Sequence, residues 1–290
     1  MIQRRNLFRL IAGVAFGSVL GLAATSASAA GLLHKARSEG ITVGIANEIP
    51  YGFQDAGGNV EGISPSVLKK VLNNMGITKI KWKVLPFGQL IPAVKAGRID
   101  LASASQNILP ARCRQVAFSR VNSSYGEGLL VLKGNPRKIH SYADFKNNSK
   151  LKLGVVTGAD ELNFTQAAGI PQSQIVLIRA NSDAVPALQS HRIDAYAATG
   201  LSVYELAKKS AAVERAHPFT QPTFHGKSTR GYGGFTMRKS DKAFLKALNH
   251  ELIKVESTPF WVNTLEHYGL SKGDVQAARK ARTAKLCGLG

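Results

Sequence analysis

Apolar and polar positions along this chain follow one pattern twice. Pro86–Ser105 reads PFGQLIPAVKAGRIDLASAS and Ala180–Thr199 reads ANSDAVPALQSHRIDAYAAT. In register, Pro92 falls on Pro186, Ala93 on Ala187 and Arg98-Ile99-Asp100 on Arg192-Ile193-Asp194. Each copy opens on turn or capping residues, Gly88 in one and Ser182-Asp183 in the other. A short helix with an apolar face follows, then the polar break, then small and apolar residues suited to a strand buried on both faces of a parallel sheet. A second pair repeats in the same order: Ile41-Thr-Val-Gly-Ile-Ala matches Leu151-Lys-Leu-Gly-Val-Val. Together they predict the first strands and repeat units of two similar α/β lobes.

The remaining pattern fills in these lobes. The first strand ends at Asn47-Glu48-Ile49-Pro50, and Asp55–Asn59 has hairpin-turn chemistry. Ser64, as N-cap, and Pro65 open a helix with Val67, Leu68, Val71, Leu72 and Met75 on its apolar side; Gly76 stops it. Ile80–Leu85 alternates as a second strand, and Val116–Ser119 reads as a short one. In the second unit a helix is expected over about 159–168, a strand over Ile175–Ile178 and a helix over Ser202–Lys209. The apolar stretches Ser124–Leu132 and Tyr232–Arg238 are expected to carry the chain between the lobes and back. Helical patterns over Asp241–Val255 and Pro259–Tyr268, and a short one from Lys272, close the chain. Strands alternating with helices define an α/β fold with mainly parallel sheets, hinged around a ligand cleft. The lobes are read as 30–128 and 129–231, with 232–290 returning to the first.

Residues 1–29 stand apart. Arg4-Arg5-Asn6-Leu7-Phe8-Arg9 is a twin-arginine start, an apolar run follows, and Ala27-Ser28-Ala29 is a small-x-small cleavage site. This predicts export with removal of the leader. With no Cys near the site, a bacterial lipid anchor is not expected. Formal charge is 38 − 18 = +20 over 290 residues, and removing the leader's three Arg leaves +17. The basic residues are spread out without interleaved aromatics or a binding motif, so nucleic acid is not the expected partner. The two cysteines, Cys113 and Cys287, could pair in an oxidising compartment or pack as buried thiols.

In such folds ligands sit off the carboxyl ends of the strands. That rule selects Glu48 and Tyr51 after the first strand, Phe87 before the repeat helix, and Ser105–Arg112, including Asn107. In the second lobe it selects Gly158-Ala159-Asp160 and Thr199. Arg112 has the planar fork that grips a carboxylate, Glu48 is an acid ending a buried strand, and the aromatics offer faces to a cation. Catalytic signals are poor: there is no H-E-x-x-H, no G-x-S-x-G and no phosphate loop, and no metal or cofactor is expected.

With these residues in view, 41–268 resembles the periplasmic solute-binding proteins of ABC importers, polar amino-acid type. The aromatic after strand one, the Phe87-Gly-Gln-Leu-Ile-Pro-Ala core of the repeat, Pro110-Ala-Arg112 followed by Phe118-Ser119, and the two crossing stretches carry the likeness. It narrows to the ectoine- and hydroxyectoine-binding proteins. Asn47–Phe53, Asn107–Cys113, Asn122–Val131, Asp194–Gly200 and the closing Leu286-Cys287 are similar to that group. The resemblance implies a two-lobed monomeric binding protein that hands a small zwitterion to a membrane permease. Amino-acid binders carry an Asp for the α-amine where this chain has Thr199, and a Thr or Ser where it has Asn107. Ectoine, a cyclic zwitterion with a ring amidinium and no free α-amine, fits that departure. By resemblance Arg112 takes its carboxylate, Glu48 its ring N–H groups, and Tyr51 and Phe87 face the ring. A Cys113–Cys287 bridge is expected too, tying the tail beside the ligand arginine. Competing readings are a polar amino-acid binder and a dehydratase on the same fold, with Glu48 or Asp160 as the acid. A receptor sensor domain would need a membrane span after Tyr268, and none is read there.

Overall fold

The computed structural model describes residues 31–224 and 226–289, so the expected leader and its cleavage site lie outside the described residues. Within them, both sequence repeats build the same unit. Leu101–Asn107 and Ala195–Thr199 are strands buried along their whole length. The aspartate of each Arg-Ile-Asp break turns back onto the neighbouring first strand. Asp100 accepts the Thr42 amide at 3.0 Å, and Asp194 accepts the Lys152 amide at 2.8 Å. The isoleucine of each triplet covers the glycine of that strand: a Cβ would lie 2.5 Å from Ile99 at Gly44 and 2.6 Å from Ile193 at Gly154. The two matched pairs in the sequence are therefore one interlock used twice, in which glycine makes room for the isoleucine.

The first sheet runs in the order Ile80–Val84, Ile41–Ile45, Leu101–Asn107, Gly231–Met237, Ala117–Phe118, and Ser123–Tyr125 also pairs with Gly231–Met237. The second runs Ile175–Ile178, Leu153–Val156, Ala195–Thr199, Glu127–Leu132, Val213–Arg215. In each, three parallel strands are followed by an antiparallel one. The sheets are thus mixed rather than mainly parallel, because their fourth strands belong to the segments that pass between sheets without a helical crossover. Ser124–Leu132 is broken at Gly126, which separates a strand of the first sheet from one of the second. Gly231–Met237 lies wholly in the first sheet.

Local starts differ from the sequence pattern where packing overrides it. The first long helix is Ile63–Asn74 with Gly62 as its N-cap. Burial of Ile63 draws the start inward, and the Ser64 hydroxyl accepts from Ser103 at 3.0 Å in the core instead of capping. Thr199 caps the helix Gly200–Lys209 by accepting the Ser202 amide at 3.3 Å. The helix expected over 159–168 is Glu161–Ala167. Helices Lys242–Glu256, Pro259–His267 and Lys272–Lys280 bury Phe244, Leu252, Trp261 and Val275 in the first lobe's core. The tail then reaches Cys113, and Cys113–Cys287 is a disulfide with its Cα atoms 5.6 Å apart. Among the described residues no helix is long and apolar enough to cross a membrane.

Candidate ligand-binding site

The strand ends of the two lobes meet around a narrow, polar cavity. On the first side, the turn after strand one is closed by Glu48 N–H to Gly52 O (2.8 Å) and Gly52 N–H to Glu48 O (2.9 Å). That turn presents Glu48 and Tyr51 to the cavity. Tyr51 meets Tyr125 edge-on, with ring centroids 5.1 Å apart, and the Tyr125 hydroxyl donates to Ser105 O at 2.8 Å. Ser105, within the strand Leu101–Asn107, has φ 45°, a left-handed conformation uncommon outside glycine, and lines the cavity wall. Across the cavity, Tyr196 donates its hydroxyl to Asn181, and both residues line it.

Of the nine expected ligand residues, Glu48, Tyr51, Phe87, Ala159, Asp160 and Thr199 line the cavity. Arg112, Asn107 and Gly158 stand behind Asp160. Arg112 donates to Asn107 O at 3.0 Å and to Gly158 O at 2.9 Å, and pairs with the Asp160 carboxylate at 3.8 Å. Asn107 Nδ2 donates to the same carboxylate at 2.6 Å, and the Arg112 guanidinium lies 5.5 Å from the Phe87 ring centroid. Arg112 is therefore a tie between the lobes, with Asp160 as its carboxylate partner. Glu48 makes a second tie, accepting the Ser202 hydroxyl at 2.8 Å.

Tyr125, Glu161, Asn181 and Tyr196 also line the cavity and were not singled out by the strand-end rule. Tyr196 carries a usable signal, since a tyrosine within a run of small buried residues needs a partner for its hydroxyl. Three polar atoms of the wall, Tyr51 Oη, Ser105 Oγ and Asn181 Nδ2, are buried without a hydrogen-bond partner. Such groups are rare in folded proteins, and their convergence suits a polar solute. The wall also holds three carboxyl groups, those of Glu48, Asp160 and Glu161. Burial pushes the Glu48 carboxyl above its usual range, against the Ser202 hydrogen bond and the nearby Asn181 amide. Burial and neighbouring carboxylates, Asp160 foremost, push Glu161 well up. With Arg112 already paired, the cavity favours the cationic part of a solute.

At the rim the lobes touch backbone to backbone. A Cβ on Gly88 would lie 2.8 Å from the Thr157 carbonyl oxygen, and one on Gly158 would lie 2.7 Å from the Gly88 Cα. Gly88, read as a capping position, instead makes close approach possible. Gly88→Ala is expected to hold the lobes apart, enlarging the radius of gyration in solution scattering and weakening solute binding about tenfold. Unchanged size and affinity would show that this contact does not form in solution.

Residues 41–271 match the model of the bacterial extracellular solute-binding proteins, family 3. A probable amino-acid ABC transporter periplasmic-binding protein of Sinorhizobium fredii is 40% identical over 280 residues, covering 96% of this chain and 92% of its own. The glutamine-binding protein of an ABC transporter of Bacillus subtilis is 26% identical over 211 residues, covering 71% of this chain and 72% of its own. Among solved structures, EhuB in complex with hydroxyectoine superposes with a TM-score of 0.80 at 29% identity, over 88% of this chain and 97% of that one. Two lobes around a polar cavity, and a family match across both of them, make this chain a member of family 3 of the bacterial extracellular solute-binding proteins, which serve ABC importers.

Proposed function

We propose that the protein binds ectoine or hydroxyectoine outside the cytoplasmic membrane, as a monomer, and delivers it to the permease of an ABC importer. The observation that carries this reading is the placement of Glu48 among Tyr51, Phe87, Tyr125 and Tyr196, while the second repeat strand ends in neutral Thr199. A flat, delocalised ring cation suits a carboxylate flanked by aromatic faces. An α-ammonium group would find no acid at position 199. In this reading Glu48 accepts from the ring N–H groups, and Tyr51 and Phe87 face the ring. Arg112 takes the carboxylate by exchanging one of its ties across the cleft. Ala159, Asp160 and Thr199 complete the ligand shell, and Asn107 and Gly158 join it as Arg112 turns to the solute. The hydroxyectoine complex of EhuB supports the choice of solute.

Titration calorimetry is the test. Ectoine or hydroxyectoine is expected to bind at least about tenfold more tightly than histidine, arginine, glutamine or glutamate, a difference of ~1.4 kcal/mol or more. A second reading, a polar α-amino acid as solute, draws on the amino-acid transport name of the Sinorhizobium relative. If an α-amino acid outcompetes ectoine, that reading replaces the first and the transport role stands.

A further inference from the structure

Glu127 opens the fourth strand of the second sheet, directly after Gly126, and is the register partner of Thr199 in the central one. It is 3% exposed, yet neither of its carboxylate oxygens has a hydrogen-bond partner among the described residues. An unpaired buried carboxylate costs several kcal/mol in a folded protein, so this arrangement needs a cause. Glu127 shares a strand face with Leu129 and Val131, which pack in one core cluster with Phe164, a helical turn beyond Glu161. Of the charges around it, that of Glu161, which is 4% exposed and lines the solute cavity, acts on it most strongly. Two ionised carboxylates cannot hydrogen-bond to each other, because both only accept. A single proton between them satisfies both.

The surroundings make that proton hard to lose. Asp160 and Glu48 add negative potential to the pair, and Arg112, which opposes it, is engaged by Asp160. The Tyr142 hydroxyl stands close by, buried and unpartnered, and Gln221 is bonded to the Glu127 backbone rather than to its carboxyl. Burial and the Glu161 charge together push the Glu127 carboxyl well above the usual range.

We propose that Glu127 and Glu161 share one proton, that Glu127 is thereby a positioning residue for Glu161, and that a cationic group of the solute entering the cavity lined by Glu48 and Glu161 drives this proton into solvent. The inference rests on the cavity being the solute site. It adds a residue outside the cavity that sets the charge of its wall. Proton and cation then compete to neutralise the same cavity wall, so affinity rises with pH until the pair has lost its proton.

The experiment is calorimetry with ectoine in buffers of different ionisation enthalpy, from about pH 5.5 to about pH 8. The wild type is expected to release close to one proton per ectoine at the acid end, with affinity rising up to tenfold per pH unit. In Glu127→Gln the new amide donates to Glu161 and favours its ionised form, while burial and Asp160 still oppose it; proton release and the pH slope are expected to fall. No release from the wild type overturns the proposal. So does a wild-type slope persisting in Glu127→Gln, which would assign the proton to Glu48. If that variant does not fold, Glu161→Gln is measured in its place, and the wild-type proton count decides alone. Should ectoine not bind, the choice of solute fails but the pair is still testable. Infrared spectra of the ligand-free protein at neutral pH are expected to show a protonated carboxyl band that Glu127→Gln weakens, and its persistence unchanged would overturn the shared proton. Stability offers a further readout. A carboxyl whose pKa is raised by folding stabilises the fold fully below its unfolded pKa, and that contribution is lost as pH rises through its folded pKa. Glu127→Gln is therefore expected to gain stability relative to wild type as the solution becomes more alkaline, and a gap independent of pH counts against the pair.

Discussion

Arg112→Ala is expected to weaken solute binding by about 2–5 kcal/mol and to cost about 3–5 kcal/mol of folding stability. Both losses have one origin. Arg112 is 8% exposed and is the ionic partner of Asp160, itself 7% exposed. Removing it leaves a buried carboxylate with only the Asn107 amide, and releases the carbonyls of Asn107 and Gly158. The second lobe then loses its charged tie to the first. Because the stability cost comes from the stranded Asp160 rather than from lost packing, adding Asp160→Asn should restore much of it. The solute carboxylate would still lack its guanidinium, so binding should not recover. Denaturant unfolding and calorimetry on both single variants and the double variant separate the two effects. A double variant no more stable than Arg112→Ala would sink the assignment of the stability cost to Asp160.

The second large effect concerns the tail. Cys287→Ser is expected to lower stability by about 3–5 kcal/mol, in line with the entropy of closing a very long loop. The bridge spans 174 residues, from the short helix Pro110–Cys113 to the end of the chain. Cys113 is adjacent to Arg112, so losing the bridge should also loosen the helix that holds the cross-cleft tie. Denaturation of oxidised wild type, reduced wild type and Cys287→Ser gives the comparison. The reduced protein and the variant should agree within error, and both should lose solute affinity. A thiol count of two on unreduced protein would show that the bridge is absent in solution.

Periodicity and punctuation made most of the architecture legible. The two repeats locate the central strands, and their Arg-Ile-Asp breaks prove to be paired with the strand glycines Gly44 and Gly154. What the pattern could not show is tertiary in origin. Gly88 looks like a helix-start residue because local sequence carries no trace of Thr157 lying against it. Ser64 has the right identity for a cap, but burial of Ile63 moved the helix start. In the site, the strand-end rule found Glu48, Tyr51 and Asp160, whose position along the chain marks them. It passed over Glu161, which looks like an ordinary first-turn acid, and Glu127, set within an apolar strand. An acid in such a strand is itself a signal, since it must be paired or protonated when buried. The Arg112 fork meets a carboxylate, as its residue type leads one to expect. Its partner Asp160 comes from the other lobe, 48 positions further along (160 − 112).

The strand Gly231–Met237 lies inside the first sheet, between Leu101–Asn107 and Ala117–Phe118, whereas the five strands of the second sheet all fall within 127–215. During synthesis, which runs from the N-terminus, the second lobe has every strand it needs while the first still lacks the strand that joins Leu101–Asn107 to Ala117–Phe118. The lobe that begins first is thus the last that can be completed, and a ribosome carrying most of this chain presents one closed sheet and one open edge. Nascent first-lobe strands, with unpaired N–H and C=O groups, are where a holding chaperone would have most to cover.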